Sequence, residues 1–173
     1  MADVLLLGDP RLRVRSAEVT SFEASFDDLA ATLDAFRKRH GFGRAISAPQ
    51  IGRAQRVIAC NLGRGTFFLV NPVITWRSEE TFTMWDDCMS FPDLLVRLRR
   101  HESISIEYVD ERGAPKWWRE LGRAESELLQ HELDHLDGIL AVDRALDRDS
   151  LVMRAVYEAR REELAATVDY TIY

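Results

Sequence analysis

Apolar and polar positions follow a helical spacing in the N-terminal third of the chain, where apolar residues recur three or four positions apart from Phe26 to Phe36. This spacing places them on one face of an amphipathic helix that packs against a core. Thr20 and Glu23 form a capping-box pattern ahead of the apolar stripe, and Gly41 is a stop signal behind it. The pattern therefore predicts an amphipathic helix with its capping signal at Thr20 and its end at Gly41.

From residue 54 to residue 108 the pattern changes to short apolar and β-branched runs, which are typical of strands. Asn71 with Pro72, Asp93 and the segment 111–113 supply turn signals between these runs. We expect a largely antiparallel or mixed sheet. The predicted strands cover residues 57–59, 66–70, 73–76 and 104–108.

A second helical pattern covers residues 123–136, and Gly138 follows it as a stop signal. Leu128, His131 and His135 lie on or near one broad face of this helix, so the two histidines are expected to face inward. A last helix is predicted from about residue 150 to about residue 167. The end of the chain, 168–173, is expected to be a tail or an edge strand.

Composition excludes several classes of protein. The chain is 46% apolar and 30% charged, as in soluble globular proteins, and no apolar run approaches the roughly 20 residues of a membrane helix. A net charge of −6 gives no general attraction to nucleic acid, and we interpret Arg97, Arg99 and Arg100 as a solvated strand or a set of internal ion pairs. Asp3 stands where a signal peptide carries basic residues, which favours a cytoplasmic location.

The most specific chemical signal is the segment His131-Glu132-Leu133-Asp134-His135 in the second predicted helix. Histidines four positions apart project from one helix face and can share a metal ion, while the glutamate between them reaches a water molecule beside it. Only 4 histidines occur in the chain, so their placement by chance as ordinary surface or packing residues is the weaker interpretation. The segment predicts a metal-dependent hydrolase with Glu132 as general base and acid.

A catalytic ion needs a third protein ligand, for which Cys88 is the best candidate. A thiolate suits a borderline-soft divalent ion, and a strand with its return connection can fold Cys88 back onto the helix. Cys60 ends an apolar run and is interpreted as a small core residue. Asp86, Asp87 and Asp137 are alternative ligands that the sequence does not exclude.

Three segments resemble, in order, the three motifs of the peptide deformylases. They are Gly-Arg-Ala-Ile-Ser-Ala-Pro-Gln at 43–50, Cys-Met-Ser-Phe-Pro at 88–92 and Gln-His-Glu-Leu-Asp-His-Leu-Asp-Gly at 130–138. The resemblance extends to about residue 145. It implies an α+β fold with mixed or antiparallel sheets packed around a central metal-binding helix. The chain, 1–173, is then one catalytic domain with a variable C-terminal helix at about 150–167.

The resemblance also implies a ligand set and an activity. Cys88, His131 and His135 would hold one divalent metal ion, with Fe²⁺ expected in the cell and Zn²⁺, Ni²⁺ or Co²⁺ able to replace it. The reaction would release formate from the N-formylmethionine of a nascent polypeptide near the ribosome. No specific nucleic acid or membrane is an expected partner, and the oligomeric state stays open.

Roles for further residues follow from the same resemblance. Glu132 would be the catalytic acid and base, while the side chain of Gln50 and the backbone N–H of Met89 would stabilise the oxyanion. The residues expected to line the substrate pocket are Gly43, Arg44, Ala45, Asp87 and Leu128.

The chain differs from the family's sequence pattern in both its first and its second motif. Asp86 and Asp87 occupy the positions where the family has Glu-Gly. We expect Asp86 to pair with Arg100 through a side chain that is shorter than that of glutamate. Arg44 replaces an apolar residue and Ala45 replaces a glycine. These changes motivate the hypothesis that the substrate is a different N-formyl or N-acyl amine. A metallopeptidase with a third ligand downstream and an inactive metal-binding relative are further alternatives.

Overall fold

Two antiparallel sheets enclose one buried helix in the computed structural model, which describes residues 2–22 and 26–172. The helices are α1 (Asp27–His40), α2 (Arg123–Leu136), α3 (Arg154–Ala159) and α4 (Arg161–Ala165). The strands are β1 (Ala45–Ser47), β2 (Val57–Asn61), β3 (Thr66–Arg77), β4 (Thr81–Asp87), β5 (Leu94–His101), β6 (Ile104–Val109), β7 (Pro115–Trp118) and β8 (Leu151–Met153). Short 3₁₀ turns cover Pro10–Arg13, Ala48–Ile51 and Ala141–Arg144.

The larger sheet has the strand order β1-β2-β3-β6-β7, and the smaller has the order β4-β5-β8. Every neighbouring pair in both sheets is antiparallel. The predicted α+β fold with antiparallel sheets around a central helix is therefore confirmed. None of the helices in the described part of the chain combines the length and the apolarity that a membrane-spanning segment requires.

Strand β2 shows how the core is divided between the two long helices. Val57 and Ala59 pack with the apolar face of α1, whereas Ile58 and Cys60 point to the other face and pack with α2. Successive strand residues face opposite sides, so a strand covered on both sides is an uninterrupted apolar run. Cys60 is fully buried there, as predicted for a core residue.

Helix α2 is confirmed at its predicted bounds, and it is buried around its whole circumference. Every residue from 126 to 136 is buried, including the polar ones. Buried polar groups require hydrogen-bond partners, because removal from water otherwise costs about 1–3 kcal/mol each. The polar side chains of α2 must therefore be satisfied by the two sheets, and this requirement positions the site.

Helix α1 begins later than its predicted capping signal. Phe26 is the N-cap residue and makes no side-chain capping bond, so the capping role of Thr20 is wrong, because the helix starts seven residues beyond it. Glu23 lies outside the described residues. Two acids, Asp27 and Asp28, occupy the first turn and complement the helix dipole instead. Gly41 ends the helix in the left-handed conformation (φ 77°), as predicted.

Strand β3 is one element where two were predicted. Asn71 and Pro72 form a bulge rather than a turn, since the register with β6 shifts between Val70 and Val73. Asn71 adopts a left-handed φ of 51°, and its side chain bonds both the N–H and the C=O of Val19, at 2.8 and 2.9 Å. A bulge tolerates proline because its residues leave the hydrogen-bond ladder. Strands β1, β4 and β7 were not among the predicted strands, and β5 was anticipated only in the solvated-strand interpretation of Arg97, Arg99 and Arg100.

The predicted C-terminal helix at 150–167 is wrong as a single element. Its first residues form β8, which pairs with β5, and two short helices follow with a break at Arg160. The last described residues return to β4, where the N–H groups of Asp169 and Tyr170 donate to the carbonyl of Thr83. The edge-strand interpretation of the tail thus corresponds to one parallel bridge between Met84 and Tyr170.

Candidate metal centre

Three side chains with nitrogen and sulfur donors meet between α2 and the end of β4. His131 and His135 lie one helical turn apart, with their Nε2 atoms 3.2 Å from each other. Cys88 follows β4 directly, and its Sγ lies 3.2 Å from Nε2 of His135. The three donor atoms all lie within 4.8 Å of one another, and all three residues are buried.

This donor set fits a divalent metal ion. Ligand atoms about 2.0–2.3 Å from a tetrahedral centre lie roughly 3.3–3.8 Å apart, which is close to the separations found here. Two imidazoles and a thiolate are the ligand types that borderline-soft ions select, and three protein ligands leave a fourth position for a reactant. In the part of the chain that the structure describes, no other group of histidine, cysteine or acidic residues converges in this way.

The acids that the sequence offered as alternative ligands are engaged elsewhere. Asp87 accepts a hydrogen bond at 2.8 Å from Arg154, and Asp137 accepts one at 2.7 Å from Arg56. Asp86 lies behind His131 and contacts the ring nitrogen that faces away from the cluster. The third donor is therefore Cys88, which also contradicts a metallopeptidase geometry with its third ligand downstream.

A chain of buried ion pairs fixes His131 from behind. Oδ2 of Asp86 lies 2.9 Å from Nδ1 of His131 and 3.0 Å from the Arg100 guanidinium. Arg100 also donates to Asp134 at 2.6 Å, and Asp134 in turn accepts from Arg144 at 2.5 Å. The structure thus places Asp86 and Arg100 together as expected. A carboxylate on the outer nitrogen fixes the tautomer and the orientation of a metal-binding histidine.

The environment shifts the pKa values of these groups in different directions. Burial lowers the pKa of His135 well below its usual value, which keeps its ring neutral and able to bind a metal. Burial raises the pKa of Cys88. For Asp86, burial acts upward, but His131 and Arg100 outweigh it and lower the pKa to about 2, so this carboxylate is ionised. Coulombic attraction from Asp86 likewise overcomes burial and raises the pKa of His131.

Glu132 lies between the two histidines in sequence and beside the donor cluster in space. Its carboxylate accepts a hydrogen bond from Ser47 Oγ at 2.5 Å, which holds it in one orientation. The residue is only 3% exposed, and burial raises its pKa. A buried, oriented carboxylate next to a reactive centre is suited to proton transfer.

The Gln50 amide is held in place by the turn that follows β1. Its Oε1 accepts from the N–H of Ser47 at 2.9 Å, so its Nε2 points towards the donor cluster, 3.7 Å from Cys88 Sγ and 3.2 Å from Ser90 Oγ. Met89 follows Cys88 directly, and no acceptor for its backbone N–H is present among the described residues. Both groups are neutral donors at the edge of the site.

A cavity of about 270 Å³ opens beside the cluster, and Cys88, His131 and Glu132 form part of its wall. A larger cleft of about 890 Å³ does not contain any of these three residues, and we assign no role to it. The five residues expected at the substrate pocket all line the smaller cavity, namely Gly43, Arg44, Ala45, Asp87 and Leu128.

Sequence reasoning missed several residues of the site. Glu127 lines the cavity and forms an ion pair with Arg44, and Ser47 holds Glu132. Ser47 lies inside the first motif and Asp134 inside the third, so the motifs contain a signal for both. No local signal identifies Arg154, because its contact with Asp87 joins residues 67 positions apart.

Comparison with known proteins gives one family. The Polypeptide deformylase family profile matches residues 1–150. The peptide deformylase of Thermotoga maritima is 33% identical over 156 residues, covering 89% of this chain and 93% of that protein. The enzyme of Heliobacterium modesticaldum is 37% identical over 151 residues, covering 82% and 92%.

Solved structures agree with the sequence relatives. The peptide deformylase of Thermus thermophilus superposes with a TM-score of 0.75 at 35% identity and covers 96% of each chain. The peptide deformylase of Synechococcus elongatus, solved with actinonin, has a TM-score of 0.78 at 26% identity and covers 93% of this chain and 85% of that one. Since the profile, the relatives and the buried donor cluster agree, this chain belongs to the polypeptide deformylase family.

Proposed function

We propose that this chain hydrolyses the N-formyl amide bond at the N-terminal methionine of newly made polypeptides and releases formate. The observation that carries the proposal is the buried cluster of Cys88, His131 and His135, of which Cys88 and His131 line a cavity together with Glu132. Membership of the polypeptide deformylase family supplies the substrate class.

Cys88, His131 and His135 are the residues that would hold the metal ion. A bound divalent ion supplies Lewis acidity, which polarises a carbonyl and lowers the pKa of water to about 7. The donor set suits Fe²⁺, which we expect in the cell, and also Zn²⁺, Ni²⁺ and Co²⁺. Asp86 holds the ring of His131 at 2.9 Å and thereby keeps the inner nitrogen directed at the cluster.

Glu132 is assigned both proton transfers. It accepts a proton from the water that attacks the formyl carbon, and it then donates this proton to the leaving nitrogen as the C–N bond breaks. The products are formate and a free amine. Ser47 donates to the Glu132 carboxylate at 2.5 Å and so keeps it in one orientation throughout.

Gln50 and Met89 are assigned to the oxyanion. Negative charge develops on the formyl oxygen during attack, and neutral N–H donors in a buried site stabilise it without reorganisation. The available donors are Nε2 of Gln50, which lies 3.7 Å from Cys88 Sγ, and the backbone N–H of Met89, a residue that lines the cavity. Each such donor typically contributes about 10²–10³-fold in rate.

The physiological setting follows from the substrate. Nascent polypeptides with an N-terminal formyl group are produced at the ribosome, so we place the protein in the cytoplasm and in transient contact with chains leaving the ribosome. Glu132 and Gln50 favour catalysis over an inactive metal-binding role, because a purely structural ion requires neither group.

The test is anaerobic purification with metal analysis, followed by assays with formyl-Met-Ala and acetyl-Met-Ala. We expect one equivalent of formate for each free amine produced from formyl-Met-Ala, and no reaction of the acetyl peptide. A metal-loaded preparation that releases no formate from any N-formyl peptide would contradict the proposed function.

A further inference from the structure

The cavity beside the metal centre has an ion pair in its wall. The guanidinium of Arg44 contacts the carboxylate of Glu127 directly, and its second nitrogen donates to the carbonyl of Ala124 at 2.8 Å. Arg44 and Glu127 both line the cavity that also contains His131 and Glu132. A substrate whose formyl group lies at the donor cluster would therefore have this ion pair, together with apolar residues such as Leu128, in the wall beside it.

The two charges differ in their access to solvent. The Glu127 side chain is 1% exposed, whereas that of Arg44 is 32% exposed and retains N–H groups at the cavity surface. An apolar side chain that fills the cavity displaces the water bound to these N–H groups and offers them no hydrogen-bond acceptor in return. Such burial of polar groups without partners is unfavourable.

Charged side chains are also poorly matched to this wall. The charges of this wall are already paired, Arg44 with Glu127 and Asp87 with Arg154. A carboxylate or an ammonium group would lose its hydration on entry without gaining an unpaired counter-charge from these pairs. The remaining class is a neutral side chain that can both donate and accept hydrogen bonds.

A carboxamide meets this requirement. Its C=O accepts a hydrogen bond from the partly exposed Arg44 guanidinium, which the buried Glu127 carboxyl group holds in place. Burial raises the pKa of Glu127 to about 7, although Arg44 opposes this effect. Both protonation states of the carboxyl group retain an acceptor oxygen, so the match holds on either side of neutral pH.

We propose that Arg44 and Glu127 determine the side-chain specificity of this chain, and that its cavity accepts a carboxamide side chain at the first residue of an N-formyl peptide at least as well as methionine. This inference rests on the proposed function and specifies the substrates of the same site. Glutamine and methionine have similar length and shape, so the comparison isolates polarity.

The experiment compares kcat/KM for formyl-Gln-Ala and formyl-Met-Ala on the metal-loaded native chain. We expect a Gln:Met ratio of one or more. In the double variant R44L/E127L, which makes the wall apolar, we expect this ratio to fall by about tenfold or more, because the polar partners are lost. R39L removes an exposed arginine from α1 outside the cavity and should leave the ratio unchanged.

Two results overturn the inference alone: a native preference for formyl-Met-Ala, or a ratio that falls by less than about tenfold in R44L/E127L. The native ratio needs no variant, so it decides the matter even if the double variant does not fold. Absence of formate from both peptides overturns the proposed function, and the specificity inference with it.

Discussion

Glu132 has the geometry of a proton carrier whose position is set by other residues. It lies between two donor residues in sequence, is 3% exposed and accepts a hydrogen bond from Ser47. Gln and Glu have the same shape, so E132Q removes the ability to accept a proton and leaves the packing intact. We expect formate release to fall by about 10²–10⁴-fold while bound metal, measured by elemental analysis, is unchanged. Activity within about threefold of the native chain would contradict the assigned role.

The two cysteines offer a matched test of the ligand assignment. Cys88 and Cys60 are both buried, but only Cys88 lies beside the two histidines. C88A should weaken metal binding by at least about 100-fold, since loss of a ligand exceeds the effect of losing its outer partners. C60A should leave metal binding unchanged, because Cys60 packs within the apolar core. Metal titration with a competing chelator measures both, and full metal retention by C88A would exclude Cys88 as a ligand.

Glu127 should make stability depend on pH. Burial raises its pKa in the folded chain to about 7, with Asp86 adding to this effect and Arg44 and His131 opposing it. The folded state therefore holds a proton that the unfolded state loses above its usual pKa, so stability decreases as pH rises from about 4.5 to about 7. The unfolding free energy of the native chain minus that of E127Q should decrease over this pH range and then stay constant at higher pH.

Urea denaturation of both proteins at several pH values, with equal metal content, measures this difference. A native-minus-E127Q difference that stays constant or increases between those pH values would show that the carboxyl group of Glu127 is not perturbed in this direction.

At the scale of elements, Arg100 joins three of them. It extends from β5, contacts Asp86 on β4 and Asp134 on α2, and its side chain is 2% exposed. R100L removes the arginine that Asp86 and Asp134 share, leaving Asp86 with His131 and Asp134 with Arg144. Removal of one partner from a buried ion pair typically costs about 3–5 kcal/mol. Arg99 on the same strand is exposed and its side chain donates to Thr81 Oγ1, so R99L should change stability by about 0.5 kcal/mol or less.

Chemical denaturation of R100L and R99L gives both values directly. If the two variants are equally stable, the buried network does not hold the sheets and the helix together in the way described.

The elements differ in how far the sequence determines them. Helix α2 was predictable at both ends because its apolar periodicity and its glycine stop are local signals. The bulge at Asn71 was not predictable, because the Asn71 side chain forms its hydrogen bonds with the backbone of Val19, which is far away in sequence. For Arg97, Arg99 and Arg100 the sequence offered a solvated strand or internal ion pairs; all three lie on β5, and the buried Arg100 pairs with acids of β4 and α2. The bounds of β5 and the partners of Arg100 were not predictable, because the paired acids belong to other elements.

At the scale of the molecule, the site is assembled from both sheets. Cys88 follows the smaller sheet, Ser47 ends β1 of the larger one with Gln50 just after it, and α2 lies between them. The motifs contain most of these residues, so the ligand set could be predicted from sequence. The ion pair of Arg44 with Glu127 could not be predicted from sequence. The two residues are 83 positions apart, and helical spacing does not show which distant residue a side chain contacts.

The C-terminal segment lies beyond residue 150, where the family profile ends, yet it packs on the smaller sheet. The rings of Trp85 in β4 and Tyr157 pack edge to face with their centroids 6.0 Å apart. Nε1 of Trp85 also donates a hydrogen bond to the carbonyl of Leu164 at 3.0 Å. Tyr157 is 6% exposed, so Y157A should lower the unfolding free energy by about 3–5 kcal/mol, as for other large aromatic residues truncated in a core. Val156 is 43% exposed, and V156A should have an effect of about 0.5 kcal/mol or less.

This pair of variants also tests whether the chain is a single domain. If the C-terminal segment and the catalytic core unfold as one cooperative unit, Y157A lowers the midpoint of a single unfolding transition. Tryptophan fluorescence and circular dichroism should then report the same transition. A separate early transition in Y157A, with the metal centre still intact, would make the C-terminal segment an independent appendage. A single shifted transition instead means that the contact of Tyr157 with Trp85 stabilises the same cooperative unit that contains the metal site.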